Sequence, residues 1–312
     1  MDEITSVREL RADAPPADRA RLAPGRRRLL EAAERPAART RLRVDWRITA
    51  LGAAAAVAAA ALAGAQLAGE GTGGGDPGPA ASRVQQQYDL TDAPALLHAA
   101  ADAAAARPDP EPRVGQWVYR KTVRGNETSE PGTGAVPDTQ ENWYQYADPE
   151  FENWKEGDDH SYRERYEFLA GLPAEPEKLW SEARDFYPSG GDEPVSAHNY
   201  RAARVLLQSW PAPPEGLARV YRALAELDGM QAVDHPVEDA QGHPAIALYR
   251  ETDGPTREEI LLDPDTLAYR GSRLVATGNG PVFGERDRRE GDVLINSAVL
   301  RTAMVDAEGE RP

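Results

Sequence analysis

Residues 48–69 read ITALGAAAAVAAAALAGAQLAG, a run of 22 positions without a charge. As a helix rising about 1.5 Å per residue it spans ~33 Å, enough to cross a hydrocarbon core of about 30 Å. Ile48, Leu51, Val57, Leu62 and Leu67 favour insertion by roughly 1.5–3 kcal/mol together. Its polar residues, Thr49 and Gln66, sit near the ends, and none interrupts the middle to give the solvent face that an Ala-rich soluble helix needs. A cleaved signal peptide opens with a short basic start, whereas 47 residues precede this segment. The reading is a single transmembrane helix, with the lipid bilayer as its first partner.

Charge gives the orientation. Residues 1–47 hold 12 Arg against 8 Asp and Glu, a net +4, and the rest of the chain nets −20. Arg26, Arg27, Arg28, Arg35, Arg39, Arg41, Arg43 and Arg47 lie before the span, and Trp46 sits at its boundary. The far side opens with Glu70 and Asp76. Basic residues stay on the cytoplasmic side, so the N-terminus is expected inside and the acidic part outside the cell membrane. The large part has no extended basic face, so nucleic acid is not an expected partner. The chain has no cysteine, which excludes disulfides, thiol nucleophiles and Cys-bound zinc.

Five segments follow. Residues 1–47 form a basic cytoplasmic stretch with two short helices, 2–12 and from Asp18 to about Glu34. Residues 48–69 span the membrane, 70–83 are a Gly- and Pro-rich linker, 84–305 form the outer domain, and 306–312 are expected as a disordered tail. In the outer domain, Asp92 and Pro94 start a helix over 93–106. Alternation and β-formers predict strands at 115–124, 141–146 and 161–168. Apolar residues at helical spacing predict helices at 175–187, 196–210 and 214–228, the last stopped by Gly229. Beyond it the period becomes two, giving strands at 230–237, 243–251, 256–263, 267–276 and 291–305. Asp263-Pro264-Asp265-Thr266 suits a tight turn. The expected fold is α+β: a mostly antiparallel curved sheet with helices on one face, preceded by one transmembrane helix.

Signatures of catalysis are missing. There is no GxSxG, no HExxH, no P-loop, and no dinucleotide fingerprint between a strand and a helix. His98, His160, His198, His235 and His243 fall on different elements. Asp158-Asp159-His160 is the one local acid–His cluster and reads as a solvated loop; His235 and His243 flank one hairpin. Neither set amounts to a metal site, and no cofactor or catalytic residue is expected; the rival is a secreted hydrolase using scattered carboxylates. Asn126-Glu127-Thr128 matches a glycosylation acceptor.

Aromatic residues gather in the first sheet region. Trp117, Tyr119, Trp143, Tyr144 and Tyr146 are the candidate ligand-binding residues, with Trp154, Tyr162 and Tyr166 nearby. They suit either ordinary packing or the lining of a groove for a hydrophobic or peptide ligand. The cleft would open between sheet and helices, lined by Trp117 and Tyr144 or by Trp143.

VRELRADAPP near the start, GQWVYRKT, ENW, GLPAEPEKLW, PPEGLARVYRALAELDGMQAV and EEILLDPDTLAYRGSRLV together resemble an actinobacterial family of single-pass membrane proteins without a settled activity. Members are often encoded beside extracytoplasmic-function sigma factors. The resemblance implies a membrane-anchored binding or sensor domain in envelope regulation, with residues 1–47 docking a cytoplasmic protein such as a sigma factor. EEILLDPDTLAYR is more distantly similar to lipoprotein-carrier-like domains, which hold acyl chains or peptides, so a tethered lipid or lipoprotein carrier is the alternative. The chain departs from dedicated carriers in its membrane tether, and no functional residue is carried over.

Protease treatment of intact spheroplasts is expected to remove everything beyond about residue 84 and to spare residues 1–47. A mature protein whose N-terminus is found by sequencing near residue 66 would refute the anchor.

Overall fold

A computed structural model describes residues 83–84, 87–126, 138–153, 159–189, 191, 193–282 and 287–312. These lie in one compact unit, Thr72–Pro312. The expected membrane span, the segment 1–47, most of the linker, Trp154, Asp158 and two of the three acceptor residues (Glu127 and Thr128) fall outside the described residues. No helix among the described residues is long and apolar enough to cross a membrane.

The unit is α+β, with an eight-stranded antiparallel sheet and helices. Helix α1 (Ala93–Ala105) starts where the Asp92 side chain accepts the Ala95 N–H. A hairpin follows, β1 (Trp117–Asn126) and β2 (Asp138–Gln145), then the short α2 (Pro149–Asn153). Four helices come next: α3 (Tyr162–Gly171), α4 (Pro176–Phe186), α5 (Val195–Gln208) and α6 (Pro214–Ala225). The remaining strands are β3 (Met230–Ala232), β4 (Val237–Glu238), β5 (Pro244–Arg250), β6 (Thr256–Leu262), β7 (Tyr269–Ala276), β8 (Gly280–Pro281), β9 (Asp287–Arg288) and β10 (Val293–Val305). The sheet runs β2-β1-β10-β7-β6-β5-β3, with β4 also on β5; β8 and β9 pair separately.

Period decides which face is covered. Ile246 and Leu248 on β5 stand opposite Leu262 and Ile260 on β6, and all four enter the core formed by the helices. Their neighbours Ala245, Ala247 and Leu261 point to the other face, under Val237. Helix α6 is the hub of the helical layer, lying against α1, α3, α4 and α5. Six of its residues are buried, Gly216 among them. A side chain there would fall on the backbone carbonyl of Leu169 in α3, so the close crossing of α3 and α6 requires glycine. Gly271 plays the same part between β7 and the Ser297 carbonyl of β10.

The ladder is interrupted three times. Pairing skips Leu300 and Leu294 on β10 and Arg270 on β7. An extra residue bends its strand and re-aims a side chain. At Arg270 the guanidinium is delivered to Asp239 and Asp263, each at 2.5 Å.

One expected strand is a helix. The segment 161–168 lies in α3 and its N-cap, because Ser161 accepts the Glu164 N–H while the Glu164 carboxylate accepts the Ser161 N–H, a complete capping box. Ser-x-x-Glu outweighs the local β-propensity of the tyrosines, and Leu169 supplies the buried contact. His160 is likewise no solvated loop residue. Its ring stacks on Phe186 at 3.7 Å and bonds the Phe186 carbonyl. Residues 306–312, expected as a tail, fold back on the sheet: Trp143 Nε1 donates to the Glu310 carbonyl at 2.6 Å, and Arg311 pairs with Glu141.

Gly216→Ala is expected to lower stability, although Ala favours a helix by about 1 kcal/mol over Gly. The clash with the Leu169 carbonyl wins, since overpacking costs about 1–3 kcal/mol. Thermal unfolding should show a lower Tm for the variant, and a raised Tm would contradict the close crossing.

Candidate ligand cleft

Sheet register separates the five candidate aromatics. On β1, Arg120 reaches α5 and marks the face toward the helices; Trp117 and Tyr119 are odd-numbered and point the opposite way. Tyr119 pairs across with Trp143, ring centroids 5.3 Å apart. Arg311 lies over the Trp143 ring, so the C-terminal residues cover this face. Tyr144 stands opposite Val118 on the helix side and lies 5.3 Å from the Tyr162 ring of α3. Tyr146 is buried beyond the end of β2, edge-on to Tyr166. Trp117 and Tyr144 therefore lie on opposite faces and do not line one groove.

A cleft does open between the sheet and the helices, with a volume of about 350 Å³. Its floor is Arg120 of β1, Val299 and Thr302 of β10, and Tyr269 of β7. Its roof is the end of α5 with Leu207, and α6 with Leu217 and Tyr221. Trp210 of the α5–α6 connection and Arg107, just after α1, close the ends. The local reasons are simple. Arg120 and Thr302 are opposed in the β1–β10 register, so both face inward. Leu217 and Tyr221 are four apart and share a stripe of α6. Arg107 is held at the rim by the DPDT turn: Asp263 Oδ1 accepts the N–H groups of Asp265 and Thr266, and Arg107 donates to the Thr266 carbonyl at 3.0 Å.

The electrostatics of the cleft are distinctive. Arg120 donates to the Gln208 carbonyl at 3.2 Å. Neither Arg107 nor Arg120 forms an ion pair among the described residues, and no carboxylate is among the 13 lining residues. Burial pushes the Tyr221 and Tyr269 phenols up, with the positive charge of Arg107 or Arg120 acting weakly against it. Both stay neutral and offer O–H groups.

Elsewhere the buried carboxylates are answered within the chain. Buried Glu259 is held by Arg257 and Arg273. Buried Asp239 feels desolvation most, yet the Arg270 guanidinium and the His243 and Gln241 N–H groups hold its carboxyl below the usual range. A wider groove of about 940 Å³ near Gly229 is lined by Asp228, Glu251 and Asp253, and its arginines are engaged: Arg250 with Ser196 and Arg257 with Glu259. His235 bonds Asp234, and His243 lies 2.8 Å from Arg270, so the two histidines have different partners. No group of three His, Cys, Asp or Glu among the described residues is placed to hold a metal ion. No protein-family model, curated protein or solved structure matches the chain.

Sequence reasoning expected a cleft between sheet and helices but missed its lining, because those residues come from six separate stretches, 107, 120, 207–210, 217–221, 266–269 and 299–302. The DPDT turn and the Leu217–Tyr221 stripe of α6 were the legible parts.

The buried phenols set a pH limit. Burial, with the nearby Glu167 carboxylate, pushes Tyr146 up to about 12, and burial likewise raises Tyr162, Tyr200, Tyr221 and Tyr269. In the unfolded chain a phenol ionises near 10. The unfolded state then holds fewer protons, so stability is complete below pH 10 and is lost as pH rises through 10 to about 12. Tyrosinate absorbance and circular dichroism followed together should show these phenols ionising only as the fold is lost. Titration of every tyrosine near pH 10 with the fold intact would contradict this burial.

Proposed function

We propose that the chain is a membrane-anchored protein whose outer domain binds a small hydrophobic or amphipathic ligand, in the manner of a sensor in envelope regulation. The observation that carries this reading is the cleft of about 350 Å³ between sheet and helices. Ligand sites are roughly 300–1,000 Å³, mostly apolar with a few placed polar groups. Leu207, Leu217, Trp210 and Val299 give the apolar wall, and two guanidinium groups give the polar points.

Binding rather than catalysis is the proposed role. The buried carboxylates, Asp239 and Glu259, are each tied to arginine, which disfavours a general acid–base pair. The membrane anchor at 48–69 and its orientation rest on the apolar run and the arginine asymmetry. The proposed cytoplasmic partner of residues 1–47 is a regulatory protein such as a sigma factor, on the strength of the net +4 charge and the resemblance. A tethered lipid carrier would use the same cleft.

Native mass spectrometry of the full chain released from its own membrane is expected to show a bound small molecule. Leu217→Trp, which adds bulk to the roof, should lower its occupancy at least tenfold with Tm retained. Identical adducts on both chains would leave the cleft without a role in binding.

A further inference from the structure

We propose that the ligand is a single-chain amphiphile with an anionic head, a carboxylate or a phosphate, gripped by Arg107 and Arg120. This rests on reading the cleft as the ligand site.

The argument begins with charge. The chain carries 52 acidic and 36 basic residues, so a pocket drawn at random from it is expected to contain more acid than base. This cleft holds two arginines and no acid among its lining residues. Several arginines elsewhere in the domain are neutralised by the fold itself: Arg201 by Glu193, Arg204 by Glu258, Arg270 by Asp239 and Asp263, Arg273 by Glu259. Arg219 and Arg250 are held by carbonyls, but neither lies in a cleft whose lining is free of carboxylates. Arg107 and Arg120 likewise donate to backbone carbonyls, Thr266 and Gln208. Each guanidinium has five N–H donors, more than these carbonyls and the Tyr162 oxygen beside Arg120 take up. Carbonyl contacts aim such a group without cancelling its charge. Half-buried cations without a counter-charge are costly, and an incoming anion removes that cost through charge-assisted bonds of about 2.7–2.9 Å.

Shape supplies the rest of the class. Leu207, Leu217 and Val299 are apolar and lie on α5, α6 and β10, so an apolar chain in the cleft is met from three elements. A volume of about 350 Å³ is near the lower end of ligand sites, which suits one chain and excludes full enclosure of a two-chain lipid. The neutral phenols of Tyr221 and Tyr269 are compatible with a neighbouring anion, as tyrosinates would not be.

The test uses the full chain in phosphatidylcholine nanodiscs, with dansyl-labelled undecanoate as the probe and empty discs as the reference. Dodecanoate, dodecyl phosphate and dodecanol compete for the site. The two anions should displace the probe at least tenfold more effectively than dodecanol. Arg107→Gln with Arg120→Gln should abolish that preference while dodecanol binds as before. A stronger effect of dodecanoate identifies a fatty-acid-like ligand; a stronger effect of dodecyl phosphate identifies a phosphorylated lipid. Equal displacement by dodecanol on the unaltered chain overturns the anionic head and leaves the cleft a ligand site. No saturable probe signal above empty discs overturns both.

Discussion

The fold depends on one strand pairing two partners that are far apart in the chain. β10 bonds β1 on one side and β7 on the other. Trp117 is thereby set against Val305, the beginning of the sheet against its end. Among the described residues, five helices intervene between the hairpin β1–β2 and the meander β5–β6–β7, and no other strand joins these two pieces into a floor. Pairing across so long a separation costs loop-closure entropy before any contact rewards it. The 13 residues of β10 answer that cost with two ladders at once, and Gly271 lets the second approach closely.

The same strand creates the cleft. Its bulge at Leu300 shifts the register between Val299 and Arg301, and both Val299 and Thr302 belong to the floor. Above them the helical layer is centred on α6, which is buried against four other helices. That packing is tightest where Ile246, Leu248, Ile260 and Leu262 meet the helices, all 0–1 % exposed. Toward β1 and β10 the floor is instead Arg120, Thr302 and Val299, and the cleft lies above them. A filled core and an open cleft thus occupy two halves of one sheet face.

Helices were legible wherever period and punctuation agreed. Leu217, Val220, Tyr221 and Leu224 recur at helical spacing between Pro214 and Gly229, and α6 occupies Pro214–Ala225. The strands after Gly229 were equally readable, since Ile246, Leu248, Ile260 and Leu262 alternate with residues of the other face. The segment 161–168 was misread because its tyrosines favour strand locally, while Ser161 and Glu164 spelled out a helix start. The aromatic cluster misled for a different reason. Trp117 and Tyr144 are close in a list of rings, yet a period of two and a register pairing Trp117 with Gln145 set them on opposite faces.

What the sequence by itself determined is therefore local and one-dimensional: an uncharged run of membrane length, a reversal of charge across it, the helical and alternating periods, and the DPDT turn. Each follows from spacing along the chain, which needs no partner to be read. What only the tertiary structure decided is which residues meet. Arg107, Arg120, Leu217, Tyr269 and Val299 come from a helix end, a helix face and the three strands β1, β7 and β10. No spacing rule connects them, because they are brought together by the register of β10 and by the point at which side chains cease to fill the space beneath the helices.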